Sequence, residues 1–169
     1  MCQYIQLNIS NLSNEKYLRY ITNVEKLFNK YKKYLQDDFS TIERLSDLIL
    51  STSPYFWIVL DYNGRFMGFV YLDNFVGNRT KLYSAELTTC FEKYAWGTFT
   101  RYSAKIFLKL CFDKLNLEKI TANIYPENFR TKSLLKNCGF NYETTLKNTT
   151  LRFGKMQDID IYALYKTYY

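Results

Sequence analysis

The segment from Trp96 to Lys105 carries the residue types from which proteins build a phosphate site. It reads WGTFTRYSAK and leads out of a polar stretch into a helix with periodic apolar residues. Backbone N–H groups at a helix start favour an anion, and Arg101 and Lys105 add positive charge nearby. The segment resembles a phosphate-cradling turn whose usual glycines have become threonines. The alternative is an ordinary helix start, in which Thr98 or Thr100 only caps the helix.

The absence of His and the wide spacing of the Cys residues argue against several classes of catalytic and metal site. The chain of 169 residues has no His, which removes the commonest general base, the Ser–His type of nucleophile and most zinc sites. Cys2, Cys90, Cys111 and Cys138 lie singly, with no CxxC pair. We therefore expect reduced structural thiols and no catalytic metal. Cys90 and Cys138 have no partner base, so packing is expected of them rather than covalent catalysis.

The charge balance favours an anionic partner. The net charge is +7 and the pI about 9.1, which suits a phosphate-bearing ligand or nucleic acid, although a solvated basic surface is an equal explanation. Nucleic acid is not expected, because Glu15 and Glu25 interrupt the basic face of the first helix. Neither a signal peptide nor an apolar run of about 18 residues is present, so we expect a cytoplasmic protein without a membrane partner.

Hydrophobic periodicity predicts the elements that must position these residues, in one domain spanning 1–169. The first half begins with a strand in QYIQLNI and a long helix with one apolar stripe between Tyr17 and Leu35. A second helix is predicted through Leu50, opened by a capping box of Ser40 and Glu43. The strands YFWIVLD and FMGFVYLDNF follow on either side of YNGR, whose Asn-Gly pair predicts a hairpin.

The second half alternates strands and helices. The predicted elements are a strand in TKLYSAELTTCF, a helix from about Phe99, a strand in EKITANIY, a helix from Asn128 to Gly139 and closing strands in YETTLKN and DIDIYALYK. The helix between the fourth and fifth strands predicts that these two strands are parallel neighbours. The fold class is therefore α+β (α/β), with a mixed, mostly antiparallel sheet of about seven strands flanked by four helices.

Four strings in this order resemble the GNAT superfamily of N-acetyltransferases, and more narrowly the branch that acetylates ribosomal-protein N-termini. They are NGRFMGFVYL with Gly68, AEL with Glu86, FDKLNLEKITANIYPENFRTKSLLKNCGF, and LRFGKMQDIDIYALYK with Gly154 and Asp158. The third string is the most specific of them. The resemblance covers nearly the whole chain and is strongest from Tyr55 onward.

The resemblance implies acetyl-CoA as co-substrate. In this family pantetheine lies between the diverging fourth and fifth strands, and a turn of pattern Q/R-x-x-G-x-G/A holds the pyrophosphate at a helix start. An ungapped match puts Thr98 and Thr100 at the two glycine positions, whereas a shift by one would put Phe99 and Arg101 there. The implied cofactor-binding residues are Thr88, Thr89, Cys90, Gly97, Thr98, Phe99, Thr100, Arg101 and Asn128.

The resemblance also implies two catalytic residues. Glu86 matches the carboxylate that serves as base, directly or through a water, with an edge salt bridge as the alternative role. The tyrosine that protonates the thiolate in many members is Leu135 here, and Thr131 matches the serine of the N-terminal acetyltransferase branch. Thr131 could instead bond only to its own helix backbone. Asn128 matches the CoA-contacting Asn, although helix capping would also explain it.

The implied activity is direct transfer of acetyl from acetyl-CoA to a primary amine, either a protein N-terminus or a small amine. The alternative is a GNAT-fold module that has lost catalysis and serves in ligand binding or protein interaction. The absent glycines and the absent tyrosine favour that alternative. The expected partners are the amine substrate and, at most, a second copy of the chain, as monomer or homodimer.

Overall fold

The elements of the protein follow the predicted order. A computed structural model describes residues 2–11, 14–78 and 80–169. The strands are β1 (Cys2–Leu7), β2 (Phe56–Asp61), β3 (Phe66–Gly77), β4 (Leu82–Phe91), β5 (Lys119–Ile124), β6 (Asn141–Arg152) and β7 (Lys155–Tyr165). The helices are α1 (Glu15–Leu35), α2 (Leu45–Thr52), α3 (Thr98–Asp113) and α4 (Phe129–Asn137).

The strands of the described residues form one seven-stranded sheet in the order β1-β2-β3-β4-β5-β7-β6. β4 and β5 are parallel, with a register that runs from Ser84 opposite Lys119 to Glu86 opposite Thr121. The pairs β1–β2, β2–β3, β5–β7 and β6–β7 are antiparallel. The predicted fold class is confirmed, and so is the parallel crossover through α3.

Contacts divide the described residues into two units. The first takes in the residues up to Leu72 together with Thr88–Trp96. Its core joins the stripe of α1, centred on the fully buried Val24 and Phe28, to an aromatic stack on the strands. In that stack the ring of Phe56 lies 5.3 Å from Phe69, centroid to centroid. The second unit comprises Asp73–Leu87 and Gly97–Tyr169.

The second unit has its own core, built on α3. Phe107, Leu108 and Cys111 of the predicted apolar face are buried, as the 3.6-residue period requires. Ile120 of β5 and Leu164 of β7 are buried as well. α3 therefore has a fixed packing face, and its start is held in place by the rest of the helix.

Two glycines explain local shape in the hairpin of β2 and β3. Gly64 takes a φ of +77° in the predicted turn, whereas Asn63 of that turn does not adopt a positive φ. At Gly68 an added Cβ would overlap the carbonyl oxygen of Cys90 on the neighbouring strand, so only glycine permits that close backbone approach. The predicted hairpin and its strand glycine are both confirmed.

The predicted capping box of α2 is wrong. The helix begins at Leu45, and the Asp47 carboxylate accepts the backbone N–H of Arg44 at 3.1 Å. Ser40 instead accepts the Ile42 N–H within a local turn before the helix, a bond that serine hydroxyls make readily in turns. β1 also ends at Leu7, before the predicted end, while β6 and β7 extend beyond the predicted strings to meet at a turn through Gly154.

Candidate active site

The start of α3 is a capped helix with open amide groups. Gly97 N–H donates to the Thr100 hydroxyl at 2.9 Å, and that hydroxyl lies 3.2 Å from the Gly97 carbonyl oxygen, to which it donates. Thr100 is only 1% exposed, so its side chain is used within the turn. Among the described residues, the N–H groups of Thr98 and Phe99 have no hydrogen-bond acceptor. They are the first donors of the helix and carry its partial positive charge.

Gly97 keeps the approach to these donors clear. Its φ is +113°, and an ideal Cβ built there would have no atom within 4 Å. The helix is 16 residues long, and the exposed side chain of Arg101 stands on its first turn. An open backbone, free amides and a nearby guanidinium are what a diphosphate group needs. The residues present therefore fit the pyrophosphate of CoA, with Thr98 exposed beside the amides.

Glu86 lies in β4 and is held by two amide side chains. Asn74 Nδ2 of β3 donates to Glu86 Oε2 at 2.9 Å, and Asn123 Nδ2 of β5 donates to the same oxygen at 3.0 Å. Neither bond is a salt bridge, so the alternative role of Glu86 as an edge ion pair has no support in the described residues. Burial raises the pKa of Glu86 above its ordinary value, and the bond from Asn74 opposes that rise.

A second carboxyl group lies beside Glu86. Asp73 of β3 has a buried Oδ1 without a hydrogen-bond partner in the described part of the chain. Burial, and then the negative charge of Glu86, raise the pKa of Asp73 to about 7. Two neighbouring carboxyl groups that cannot both ionise easily are typical of groups that exchange protons at neutral pH.

The start of α4 brings Asn128 and Thr131 together. The Asn128 side chain accepts the Thr131 backbone N–H at 3.2 Å and so caps the helix. The Thr131 hydroxyl is half-buried and makes no hydrogen bond within the described residues. It therefore does not bond to its own helix backbone and is available as a donor. Leu135 is buried one turn further on.

The tyrosines near these segments are engaged elsewhere. Tyr94 donates its phenol hydrogen to the Phe66 carbonyl oxygen, and the Arg65 guanidinium lies 3.9 Å from its ring centroid. Tyr125 lies beneath the guanidinium of Arg152, at 4.1 Å. Both contacts serve packing, as cation–π pairs do elsewhere. Thr131 is thus the better candidate than either phenol for a proton donor.

Thr88, Thr89 and Cys90 form the end of β4 and belong to the first unit, whereas the other predicted site residues belong to the second. The hydrogen-bonded register of β4 with β5 ends before this segment, at Glu86 opposite Thr121. The Cys90 thiol is buried, and burial raises its pKa to about 12. All four cysteines are free, and a thiol with so high a pKa does not act as a nucleophile at neutral pH.

Sequence reasoning missed Asp73, Asn74 and Asn123. Asp73 follows the apolar string FMGFVYL, and a carboxylate at the end of such a run was a usable signal. The two Asn residues gave no signal by type or spacing, because their role depends on three strands being adjacent. In the described residues, no helix has the length and hydrophobicity to cross a membrane.

Comparison with known proteins supports the geometry. A family model described as an acetyltransferase (GNAT) domain matches residues 7–141. The match takes in β2 to β5 and both helix starts described above. No curated protein sequence matches the chain significantly.

Two solved structures illustrate the fold. The spermidine N-acetyltransferase of Vibrio cholerae, solved with CoA and spermine, is 23% identical, with 99% of this chain and 96% of that chain covered and a TM-score of 0.74. The ribosomal-protein-S5-alanine acetyltransferase of Vibrio fischeri is 16% identical, with coverages of 99% and 95% and a TM-score of 0.72. At these identities the likeness shows the fold.

Proposed function

Because this chain belongs to the GNAT acetyltransferase family, we propose that it transfers an acetyl group from acetyl-CoA to a primary amine by direct attack. Acetyl-CoA is the acetyl donor of that family, as the resemblance implied. The acceptor is a small amine such as a polyamine or the N-terminus of a protein. Of the two solved relatives, one is named for spermidine and the other for the alanine of a ribosomal protein.

The observation that carries the proposal is that the second unit contains both an open helix start and a pair of carboxyl groups with raised pKa values. The free amides of Thr98 and Phe99, with Gly97 leaving space before them, would bind the pyrophosphate, and Arg101 would add charge. Asn128 would contact CoA from the start of α4. The contact of Thr88, Thr89 and Cys90 with pantetheine stays a prediction from the family resemblance, because these residues belong to the first unit.

Glu86 would serve the chemistry as the base. The acceptor amine arrives as an ammonium and must lose a proton before its nitrogen can attack the thioester carbonyl. Burial raises the pKa of Glu86, which strengthens it as a base. Thr131, whose hydroxyl is not engaged by its own helix, would give a proton to the departing CoA thiolate.

A binding and turnover experiment tests the proposal. Acetyl-CoA at about 100 times its dissociation constant should add roughly 2.7 kcal/mol to the free energy of unfolding, seen as a rise in melting temperature. Release of free CoA thiol is then followed with spermidine and with a peptide that begins with alanine. Binding without turnover on either amine would favour a ligand-binding module, and no binding would reject the proposal. We expect the protein to act in the cytoplasm, where its free thiols would stay reduced.

A further inference from the structure

Asp73 and Glu86 lie opposite each other on neighbouring strands of the second unit. The Asn78 N–H donates to the Lys81 carbonyl oxygen at the turn that joins β3 to β4. Asp73 is five residues before Asn78, and Glu86 is five residues after Lys81. Equal steps from an antiparallel turn bring two residues opposite each other. Asn74 has a φ of +47°, which breaks the alternation of side chains beside Asp73, and the Asn74 amide also reaches Glu86. The charge of Glu86 acts on Asp73, which indicates that the two carboxyl groups are near each other.

The two carboxyl groups have unequal surroundings. Two amide N–H groups, from Asn74 and Asn123, converge on Glu86 Oε2. Asp73 Oδ1 has no donor within the described residues, and the one hydrogen bond that acts on the pKa of this carboxyl group comes from its own backbone N–H. Hydrogen bonds that a carboxylate accepts favour its ionised form, so a proton that the ionised pair takes up comes to rest on Asp73 and leaves the negative charge on Glu86.

We propose that Asp73 and Glu86 form one proton-accepting unit, in which Glu86 contacts the acceptor ammonium and Asp73 takes up the ammonium proton through it. The inference rests on the proposed acetyl transfer and assigns a partner to its base. Asp73 is thus a positioning residue, since it acts on the substrate through Glu86.

The proton and electron pairs balance in this scheme. An N–H bond of the ammonium breaks, its electron pair stays on nitrogen, and the proton passes through the Glu86 carboxylate to the Asp73 carboxylate. The nitrogen then forms its bond to the acetyl carbon while the carbon–sulfur bond breaks and sulfur keeps the pair. The second proton of the attacking nitrogen goes to the thiolate by way of Thr131, whose hydroxyl gives its hydrogen to sulfur and takes the proton from nitrogen in return. Asp73 returns its proton to water after the product leaves.

The pair is a stronger base near neutral pH than Glu86 with an ordinary pKa would be. A carboxylate with a pKa near the ordinary value of about 4.3 is a weak base toward an ammonium. The pKa of Asp73 is about 7, so the pair as a whole takes up a proton near neutral pH. Glu86 is the one charged group that acts on Asp73 in the described part of the chain, and the amides of Asn74 and Asn123 that face Glu86 are neutral.

The test is the pH dependence of kcat/KM with spermidine and with an alanine-initiated peptide, for the wild type, Asp73→Asn and Asp73→Glu. The wild type should rise to a plateau with an enzyme midpoint near pH 7. Asp73→Asn should move that midpoint to lower pH and lower the plateau about tenfold, because the remaining base is weaker. Asp73→Glu keeps a carboxyl group and should keep the near-neutral midpoint. The ionisation of the amine is common to all variants and cancels in the comparison.

A purely structural role for Asp73 would leave the midpoint of Asp73→Asn where the wild type has it, and that result would overturn the inference while acetyl transfer stands. Wild-type protein without turnover on either amine would instead remove the proposed function and the inference with it. The melting-temperature rise with acetyl-CoA should be equal in all variants, which shows that they are folded.

A direct titration covers the case in which Asp73→Asn does not fold. Carbon-13 NMR of labelled aspartate carboxyl groups follows Asp73 in the wild type and in Glu86→Gln. Loss of the Glu86 charge should move the Asp73 titration to lower pH, since that charge is one of the two causes of its raised pKa. An Asp73 titration that is the same in both proteins would show that the two groups do not act as a unit.

Discussion

The start of α3 and the carboxyl pair of β3 and β4 differ in how completely the fold satisfies their polar groups. At the start of α3, Thr100 occupies a position where the family pattern has a glycine, and its side chain makes hydrogen bonds. Thr100 is buried and its hydroxyl bonds with both backbone groups of Gly97. On the strands, Asp73 Oδ1 is buried without a donor in the described residues, and the negative charge of Glu86 raises the pKa of Asp73.

This difference helps to distinguish polar groups that stabilise the fold from polar groups that are candidates for a functional role. A polar group that bonds to the backbone of its own helix start is explained by stability. A buried carboxyl oxygen without a partner destabilises the folded state and calls for a reason beyond packing. The bonds of Thr100 are consistent with a role in the fold, whereas the carboxyl pair and the open amides of Thr98 and Phe99 are the groups to which we propose roles in catalysis and ligand binding.

The largest effect should come from Glu86→Gln. Loss of the carboxylate proposed as the base should lower kcat/KM by about 10²–10⁴-fold, the usual contribution of general base catalysis. The acetyl-CoA dissociation constant should not change, because Glu86 lies in the strand region and not at the helix start. Glu118→Gln is the matched control, since it removes only a carboxylate that pairs with Lys81 at 3.1 Å. Equal turnover in Glu86→Gln and Glu118→Gln would remove Glu86 from the chemistry.

Asp73→Asn should stabilise the protein at alkaline pH. The folded-state pKa of Asp73, about 7, exceeds the ordinary value of about 3.9 in the unfolded chain. The folded state thus binds the proton more tightly, and this contribution to stability is lost as pH rises from about 4 to about 7. The neutral amide avoids that loss, by about 1–3 kcal/mol at pH 8.

Melting curves at pH 5 and pH 8 check this prediction. The gain of Asp73→Asn over the wild type should be larger at pH 8, at about 2–4 °C for each kcal/mol in a chain of this size. A difference that is the same at both pH values would mean that Asp73 is ionised equally in the folded and unfolded states. Asp73 would then have to be counted with the polar groups that the fold satisfies, such as Thr100.

The sequence predicted most of the fold because the relevant forces are local. The apolar stripe of α1, the Asn-Gly turn and the Asn128 cap each lie within a few residues of one another, and the structure has all three. The capping box of α2 failed because Ser40 bonds locally to Ile42 instead. A single polar residue near a helix start is consistent with several turns, and packing further along decides among them.

The candidate site was less accessible to sequence reasoning. Glu86 and Thr131 were found through the family resemblance, and their own spacing indicates nothing. Asn74, Glu86 and Asn123 come together only because β3, β4 and β5 are neighbours. Asp73 could have been found by counting back from the β3–β4 turn to the residue opposite Glu86. Its buried, unpartnered oxygen, however, is a property of packing that no local pattern contains.

Gly97→Ala should weaken acetyl-CoA binding by about tenfold, which corresponds to about 1.4 kcal/mol. A Cβ at a φ of +113° strains the backbone and tilts the amides of Thr98 and Phe99 away from the anion. The matched control is Gly154→Ala, at a φ of +69° in the turn between β6 and β7 and likewise without an atom near its Cβ. Both should lose similar stability, of about 1 kcal/mol. Only Gly97→Ala should raise the dissociation constant measured by calorimetry.

The smallest effects should divide the two threonines at the start of α3. Thr100→Ala removes the buried hydroxyl that bonds Gly97, so it should lose about 0.5–2 kcal/mol of stability, as caps usually do. Its acetyl-CoA affinity should be unchanged, because the open amides belong to other residues. Thr98→Ala removes an exposed hydroxyl and should leave the melting temperature unchanged while it weakens binding a few-fold. If Thr100→Ala also lost affinity for acetyl-CoA, the Thr100 hydroxyl would contribute to ligand binding as well as to the helix start. Thr100 could then not be separated from Thr98 as a purely structural residue.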